Sequence, residues 1–162
     1  MLDPLVRRDD KQFVVERDPT PQELEDMLTV WYVNIGTRSN GIVIVKDGVT
    51  LAVGSGQQER VGAVEQALVK AYQKAMDRKG IRYDPLDGAS DRHKLSLNPL
   101  KGAVVSSDAF FPFEDSVKLL ERCGVSAIIQ PGGSKNDSEI IAAANNFKMA
   151  MAFTLERCFG HF

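Results

Sequence analysis

Apolar residues recur at helical spacing in four stretches of the chain and crowd into short runs in five others. Leu24, Met27, Leu28 and Trp31 follow at intervals of three and four, which predicts an amphipathic helix with one apolar stripe. Its start is marked by Thr20-Pro-Gln-Glu23: Thr20 caps, Pro21 suits the first helical position and Glu23 completes a capping box. Gly36 ends it. Gly41-Ile-Val-Ile-Val-Lys46 and Val49-Thr-Leu-Ala-Val53, joined by Asp47-Gly48, predict a β-hairpin with a two-residue turn. A second helix is predicted over 60–78, with Val61, Val64, Leu68, Ala71 and Tyr72 on one face. Residues 80–102 lack a period and hold Gly, Pro, Asp and Ser, so a long loop is expected there. Thereafter strands over 103–107, 125–130 and 149–153 alternate with helices over 116–122 and 138–146.

Strand, helix, strand, helix, strand implies parallel pairing with crossover connections. Added to the hairpin and the two earlier helices, it predicts an α/β domain of three layers, α/β/α, around a mixed sheet. At 162 residues the chain is expected to form a single domain over 1–162.

Composition narrows function by exclusion. The net charge is −2 and no basic block occurs, so no nucleic-acid partner is expected. No apolar run reaches the length of a membrane span, and Met1-Leu-Asp-Pro-Leu-Val-Arg-Arg-Asp-Asp10 lacks the apolar core of a signal peptide, which makes a cytoplasmic location the expectation. Cys123 and Cys158 make neither a disulfide framework nor a zinc set, and packing is the reading for both. His93 sits in the polar loop and is expected at the surface. His161 lies at the C-terminus, where chains usually fray.

Candidate chemistry gathers in the loops that follow the strands, where parallel sheets bind ligands. Asp108-Ala-Phe-Phe-Pro-Phe-Glu-Asp115 sets aromatic rings and a stiff proline between acids, a combination suited to a flat heterocycle with a π-face and N–H donors. Asp115, at the start of a helix, either accepts from such a heterocycle or complements the helix dipole. Gly54-Ser-Gly56 before a helix, with Arg60 adding charge, either presents N–H groups to an anion or only turns the chain. Pro131-Gly-Gly133 carries the same two readings.

Four ordered motifs over 37–161 resemble the C-terminal part of the AICAR transformylase/IMP cyclohydrolase family of late purine biosynthesis. They are Arg38-Ser-Asn-Gly-Ile-Val-Ile-Val-Lys-Asp-Gly48, Gly54-Ser-Gly-Gln-Gln-Glu-Arg60, Ser107-Asp-Ala-Phe-Phe-Pro-Phe113 and Ile128-Ile-Gln-Pro-Gly-Gly-Ser134. The resemblance implies a cytidine-deaminase-like α/β/α subdomain without the zinc ligands that deamination needs. It implies formyl transfer from 10-formyltetrahydrofolate, as cosubstrate, to the 5-amino group of AICAR. Carried over by position, Asn40 lies beside the reacting groups and His161 matches the family's last histidine. Arg60 faces ligand, and Phe110, Pro112 and Asp115 form the folate wall and its pterin-holding acid. Arg157 and Phe159 hold the nucleotide. Thr37, Ser39 and Asp108 fall where some members hold potassium, although Gly41 stands where some of those have a serine.

The chain departs from the family in three places. The family's Lys-His pair for proton transfer and oxyanion stabilisation has no counterpart here. The Lys-rich stretch after the family's Trp reads Trp31-Tyr-Val-Asn-Ile-Gly36, and Phe162 extends beyond the terminal histidine. Two expectations follow. Either the chain is the folate- and nucleotide-binding half of a split transformylase, with a partner chain supplying the Lys-His half in a homo- or hetero-oligomer, or it is a non-catalytic purine-nucleotide or folate binding module.

Overall fold

A computed structural model describes residues 15–81, 98–158 and 160. Of the loop expected over 80–102, residues 82–97, with His93, lie outside the described residues, as do Phe159 and His161.

Helix α1 spans Pro21–Ile35. Its capping box forms as the sequence predicts: Glu23 N–H donates to Thr20 Oγ1 at 3.2 Å, and Thr20 N–H donates to Glu23 Oε2 at 2.8 Å. The buried face differs from the predicted stripe. Glu23, Asp26, Met27, Val30, Trp31 and Asn34 are buried, whereas Leu24 and Leu28 are half-buried. The stripe is rotated because three polar side chains on the inner face have partners in other elements. Glu23 binds Arg17 at 2.9 and 3.0 Å and accepts from Ser126 Oγ at 2.6 Å. Asp26 accepts from the N–H groups of Asp47 at 2.9 Å and Gly48 at 2.7 Å. Asn34 donates to Ser106 Oγ at 2.9 Å.

Strands β1 (Ile42–Lys46) and β2 (Val49–Gly54) form the hairpin. Asp47 and Gly48 take φ of 51° and 73°, the two positive values that a turn matching strand twist requires. Asp26 holds both of their N–H groups. Pairing shifts between Ile44 and Val45, so the hairpin carries a bulge. Helix α2 (Arg60–Asp77), strand β3 (Val104–Ser107), helix α3 (Asp115–Arg122), strand β4 (Ala127–Gln130), helix α4 (Asp137–Asn146) and strand β5 (Ala150–Phe153) follow. Every predicted element forms, with bounds displaced by one or two residues.

The sheet order is β2-β1-β3-β4-β5. β1 is antiparallel to β2 and β3, while β3, β4 and β5 are parallel, giving the expected mixed sheet. Strand alternation divides the core in two. Ile42, Ile44, Val105, Ile128, Met151 and Phe153 pack with residues of α2, α3 and α4 on one face. Val43, Val45, Val104, Ile129 and Ala152 pack with Met27, Val30 and Trp31 of α1 on the other. This is the three-layer α/β/α arrangement. β3, β4 and β5 are buried on both faces, which is why their apolar residues stand side by side rather than alternating, with Ser106, Ser107 and Gln130 as the buried polar exceptions at the ends of β3 and β4. Each fully buried Ile or Phe contributes about 1.5–3 kcal/mol to that core.

Candidate functional site

Asp108 directly follows β3 and joins three segments. Its N–H donates to the Gly41 carbonyl at 3.1 Å, and its own carbonyl accepts from Cys158 N–H at 3.1 Å. The loop before β1, the aromatic corner and the C-terminal segment are thereby tied together. The side chain is fully buried and receives the Ser39 hydroxyl on one oxygen and the Arg60 guanidinium on the other. A carboxylate without solvent needs such partners, so the pair fixes Arg60 at the first position of α2.

A cleft of about 530 Å³ opens beside this pair. Asn40, Arg60, Phe110, Pro112 and Arg157 line it, five of the residues that sequence marked for ligands. Asn40 is held by its Nδ2–H, which donates to the Gln57 carbonyl at 2.8 Å. The Arg157 guanidinium stands 4.9 Å from the centre of the Phe110 ring, a cation–π contact between two expected ligand contacts. Gln57 and Gln58 also line the cleft and were not singled out by sequence reasoning. Both belong to the motif Gly54-Ser-Gly-Gln-Gln-Glu-Arg60, in which only the glycines and the arginine had been given a role.

A second cleft, of about 400 Å³, shares Arg60 and Pro112 with the first and adds Glu59, Phe113 and Asp115. The expected folate wall is therefore divided. Phe110 borders the first cleft, Asp115 the second, and Pro112 both. Asp115 is exposed at the start of α3 and accepts from Ser116 N–H at 2.7 Å. The three phenylalanines serve three purposes: Phe111 is core, Phe110 lines the first cleft, and Phe113 is 60% exposed in the second. The formal charges differ too. Arg60 and Arg157 against Asp108 leave the first cleft net positive, while Glu59 and Asp115 against Arg60 leave the second net negative.

Two expected loops line neither cleft as anion sites. In Pro131-Gly-Gly133, the N–H groups of Gly133 and Ser134 are taken by Asp137 at 2.8 and 3.1 Å. A Cβ on Gly132 would meet the Phe153 ring at 2.4 Å, so that glycine allows the loop to pack. In Gly54-Ser-Gly56, Ser55 N–H donates to Gln66 Oε1 at 2.8 Å and Gly56 N–H to the Arg38 carbonyl at 3.4 Å. A Cβ on Gly54 would lie 2.0 Å from the Ala63 carbonyl oxygen, so this glycine lets β2 close onto α2. For both loops the turn reading holds.

Thr37, Ser39 and Asp108 gather around Gly41. Thr37 Oγ1–H donates to the Val33 carbonyl at 3.1 Å and Ser39 Oγ–H to Asp108, so both hydroxyls are spent as donors but keep lone pairs. Asn34 Oδ1 beside them is buried with no hydrogen-bond partner among the described residues. Asp108 is already balanced by Arg60, so what a cation would find here are neutral oxygens, the two hydroxyls and Asn34 Oδ1. Cys158 packs against the α1 face of the core. Burial first, and the Asp108 charge second, push its thiol up to about 12.

This assembly has relatives. The family model described as the AICARFT/IMPCHase bienzyme matches residues 3–70. The "Bifunctional purine biosynthesis protein PurH" of Caldicellulosiruptor bescii is 43% identical over 159 residues, covering 98% of this chain and 26% of that protein. The Aquifex aeolicus protein of the same name is 42% identical over 150 residues, covering 93% and 25%. The chain belongs to the AICARFT/IMPCHase family. It spans about a quarter of the length of the relatives it matches. Family membership extends beyond the motif segments to nearly all of this chain. Among solved structures, a dCMP deaminase from the cyanophage S-TIM5 aligns at a TM-score of 0.43 with 17% identity, over 82% of this chain and 98% of that one. Acinetobacter baumannii RibD aligns at 0.46 with 13% identity, over 82% and 35%. Among the described residues no helix is long and apolar enough to cross a membrane.

Proposed function

We propose that this chain is the folate- and nucleotide-binding half of an AICAR formyltransferase, acting in purine biosynthesis in the cytoplasm. The observation that carries this reading is the convergence of Asn40, Arg60, Phe110, Pro112 and Arg157 on one cleft. The net positive cleft suits a nucleotide phosphate, with the Arg157 guanidinium set against the Phe110 ring. The neighbouring, net negative cleft suits a pterin, whose ring nitrogens donate to carboxylates such as Asp115 and whose face packs on Phe113 or Pro112.

In the reaction, the 5-amino nitrogen of AICAR bonds to the formyl carbon of 10-formyltetrahydrofolate, the bond from that carbon to N10 breaks, and one proton passes from the amine to N10. Asn40 positions the amine: with its amide NH₂ held by Gln57, its carbonyl oxygen is the group it offers. Holding two reactants in line supplies much of the rate in such a transfer. Potassium, where bound, would be held by neutral oxygens of the 37–41 loop, since Arg60 already balances the Asp108 carboxylate. Proton transfer and oxyanion stabilisation come from a Lys-His pair outside these 162 residues, carried by a partner chain in a homo- or hetero-oligomer. Phe159 and His161 complete the nucleotide contacts and the catalytic set in this reading.

The test is reconstitution. The chain mixed with the Lys-His half of a PurH relative is expected to formylate AICAR, and Asn40→Ala to lower kcat by about a hundredfold. Absence of turnover with every such partner, while AICAR still binds, supports the binding module instead.

A further inference from the structure

Gln130, the last residue of β4, is fully buried and lines neither cleft. Its Oε1 accepts from the Phe111 N–H at 2.8 Å, while among the described residues its Nε2 donates only to the sulfur of Met151, at 3.5 Å. Sulfur is a weak acceptor, so one end of this amide is poorly compensated for leaving water. An apolar side chain would pack there at lower cost, and the bond to Phe111 is what an amide adds. Phe111 is core, and its N–H belongs to the peptide that joins it to Phe110 of the first cleft. Pro112, the next residue, has no N–H, and its carbonyl accepts from Asn136 Nδ2 at 2.8 Å. Two side chains flanking the Pro131-Gly-Gly133 loop therefore clamp the aromatic corner.

The backbone of Gln130 reaches the opposite wall. Its carbonyl accepts from the Thr154 N–H at 2.9 Å, and the Pro131 carbonyl from the Leu155 N–H at 3.1 Å. The Thr154 hydroxyl donates to the Glu156 carbonyl at 2.7 Å, closing the turn that delivers Arg157. β4 lies between β3, which leads into the aromatic corner, and β5, which leads into that turn. One residue thus holds both partners of the contact in which the Arg157 guanidinium stands 4.9 Å from the Phe110 ring centre. We propose that Gln130 is a positioning residue: through Phe111 and Thr154 it sets how far apart the Phe110 and Arg157 walls of the first cleft stand. The motif Ile128-Ile-Gln-Pro-Gly-Gly-Ser134 is then the frame of the site rather than a ligand contact. The inference deepens the nucleotide-binding reading above and rests on it for its ligand, but the wall geometry can be measured with no ligand present.

The experiment compares the full chain with Gln130→Met, a change of similar shape that removes the acceptor. Without ligand, the Arg157 side-chain protons of the unaltered chain are expected upfield of their ordinary positions, under the ring current of Phe110, and to return toward them in Q130M. AICAR affinity, by isothermal titration, is expected to fall by about tenfold in Q130M. Val104→Ala, a core change at the start of β3, supplies the reference for lost stability and is expected to leave both readouts unchanged. Gln130→Glu, which keeps an oxygen at the same reach, is expected to restore most of the ring-current shift and of the affinity. Arg157 resonances that Q130M leaves unmoved, or AICAR affinity in Q130M no weaker than in V104A, would overturn the proposal. Should Q130M fail to fold, amide exchange in the unaltered chain decides: a Phe111 N–H exchanging as fast as in an unstructured peptide would overturn it, and slow exchange, with the shift kept in Q130E, would support it. An unaltered chain that binds no AICAR would sink the nucleotide reading alone and leave the resonances to decide on Gln130.

Discussion

Arg60 and Asp108 form a buried ion pair that shapes the site. Asp108 is fully buried and its partner's side chain only 10% exposed, so the pair is shielded from solvent and hard to break. Asp108→Ala leaves a guanidinium uncompensated between the two clefts and is expected to cost about 3–5 kcal/mol in denaturant unfolding. A cost under about 1 kcal/mol would mean that the ion pair is not maintained in solution. Cys158 makes a second, independent case. A thiol raised to about 12 is almost wholly protonated at pH 8. Alkylation by iodoacetamide, mapped by peptide mass spectrometry, is expected to be at least about a hundredfold slower there than for a small-molecule thiol. Alkylation at an ordinary rate would show that the C-terminal segment leaves the core.

At the scale of elements, α1 is attached by carboxylates as well as by its apolar face. Burial tends to raise the Glu23 carboxyl, but hydrogen bonds from Arg17, Ser126 and the Thr20 backbone, with the Arg17 charge, leave it below its usual 4.5. A lowered folded-state value means that its contribution is complete above the unfolded value near 4.5 and disappears as pH falls through the folded one. Glu23→Gln is expected to lose about 1.5–3 kcal/mol at pH 7 and to flatten the decline of stability below pH 4.5, measured by urea melts across pH. An unchanged acid limb would contradict this. Gly132→Ala meets both a positive φ of 69° and the Phe153 ring, and is expected to cost about 2–4 kcal/mol. Gly133→Ala, at φ 90° with open space, should cost only the backbone strain of about 1–2 kcal/mol. These elements also mark what sequence could reveal. The capping box, the Asp47-Gly48 turn and the parallel half of the sheet were legible because each rests on local spacing. The rotation of α1 was not, because Glu23, Asp26 and Asn34 read as polar, and only distant partners make burying them favourable. Arg60 illustrates the same limit: its charge was visible at the head of α2, but its buried partner lay 48 residues away.

At the scale of the molecule, the sheet brings the 37–41 loop, the head of α2, the aromatic corner and Arg157 to one edge. The division into two clefts of opposite net charge was hidden from sequence, since it depends on which side of Pro112 each acid and ring falls. A phosphate-bearing ligand and a pterin are predicted to occupy neighbouring spaces separated by Arg60. The most direct measurement is an amide chemical-shift titration of the full chain with AICAR and, separately, with a 10-formyltetrahydrofolate analogue. AICAR is predicted to shift Ser39, Asn40, Gln57, Gln58 and Arg157, and the folate analogue to shift Phe113, Asp115 and Ser116 as well as Phe110. Saturating AICAR that leaves the first group unmoved, or moves residues on the opposite edge of the sheet instead, would contradict it.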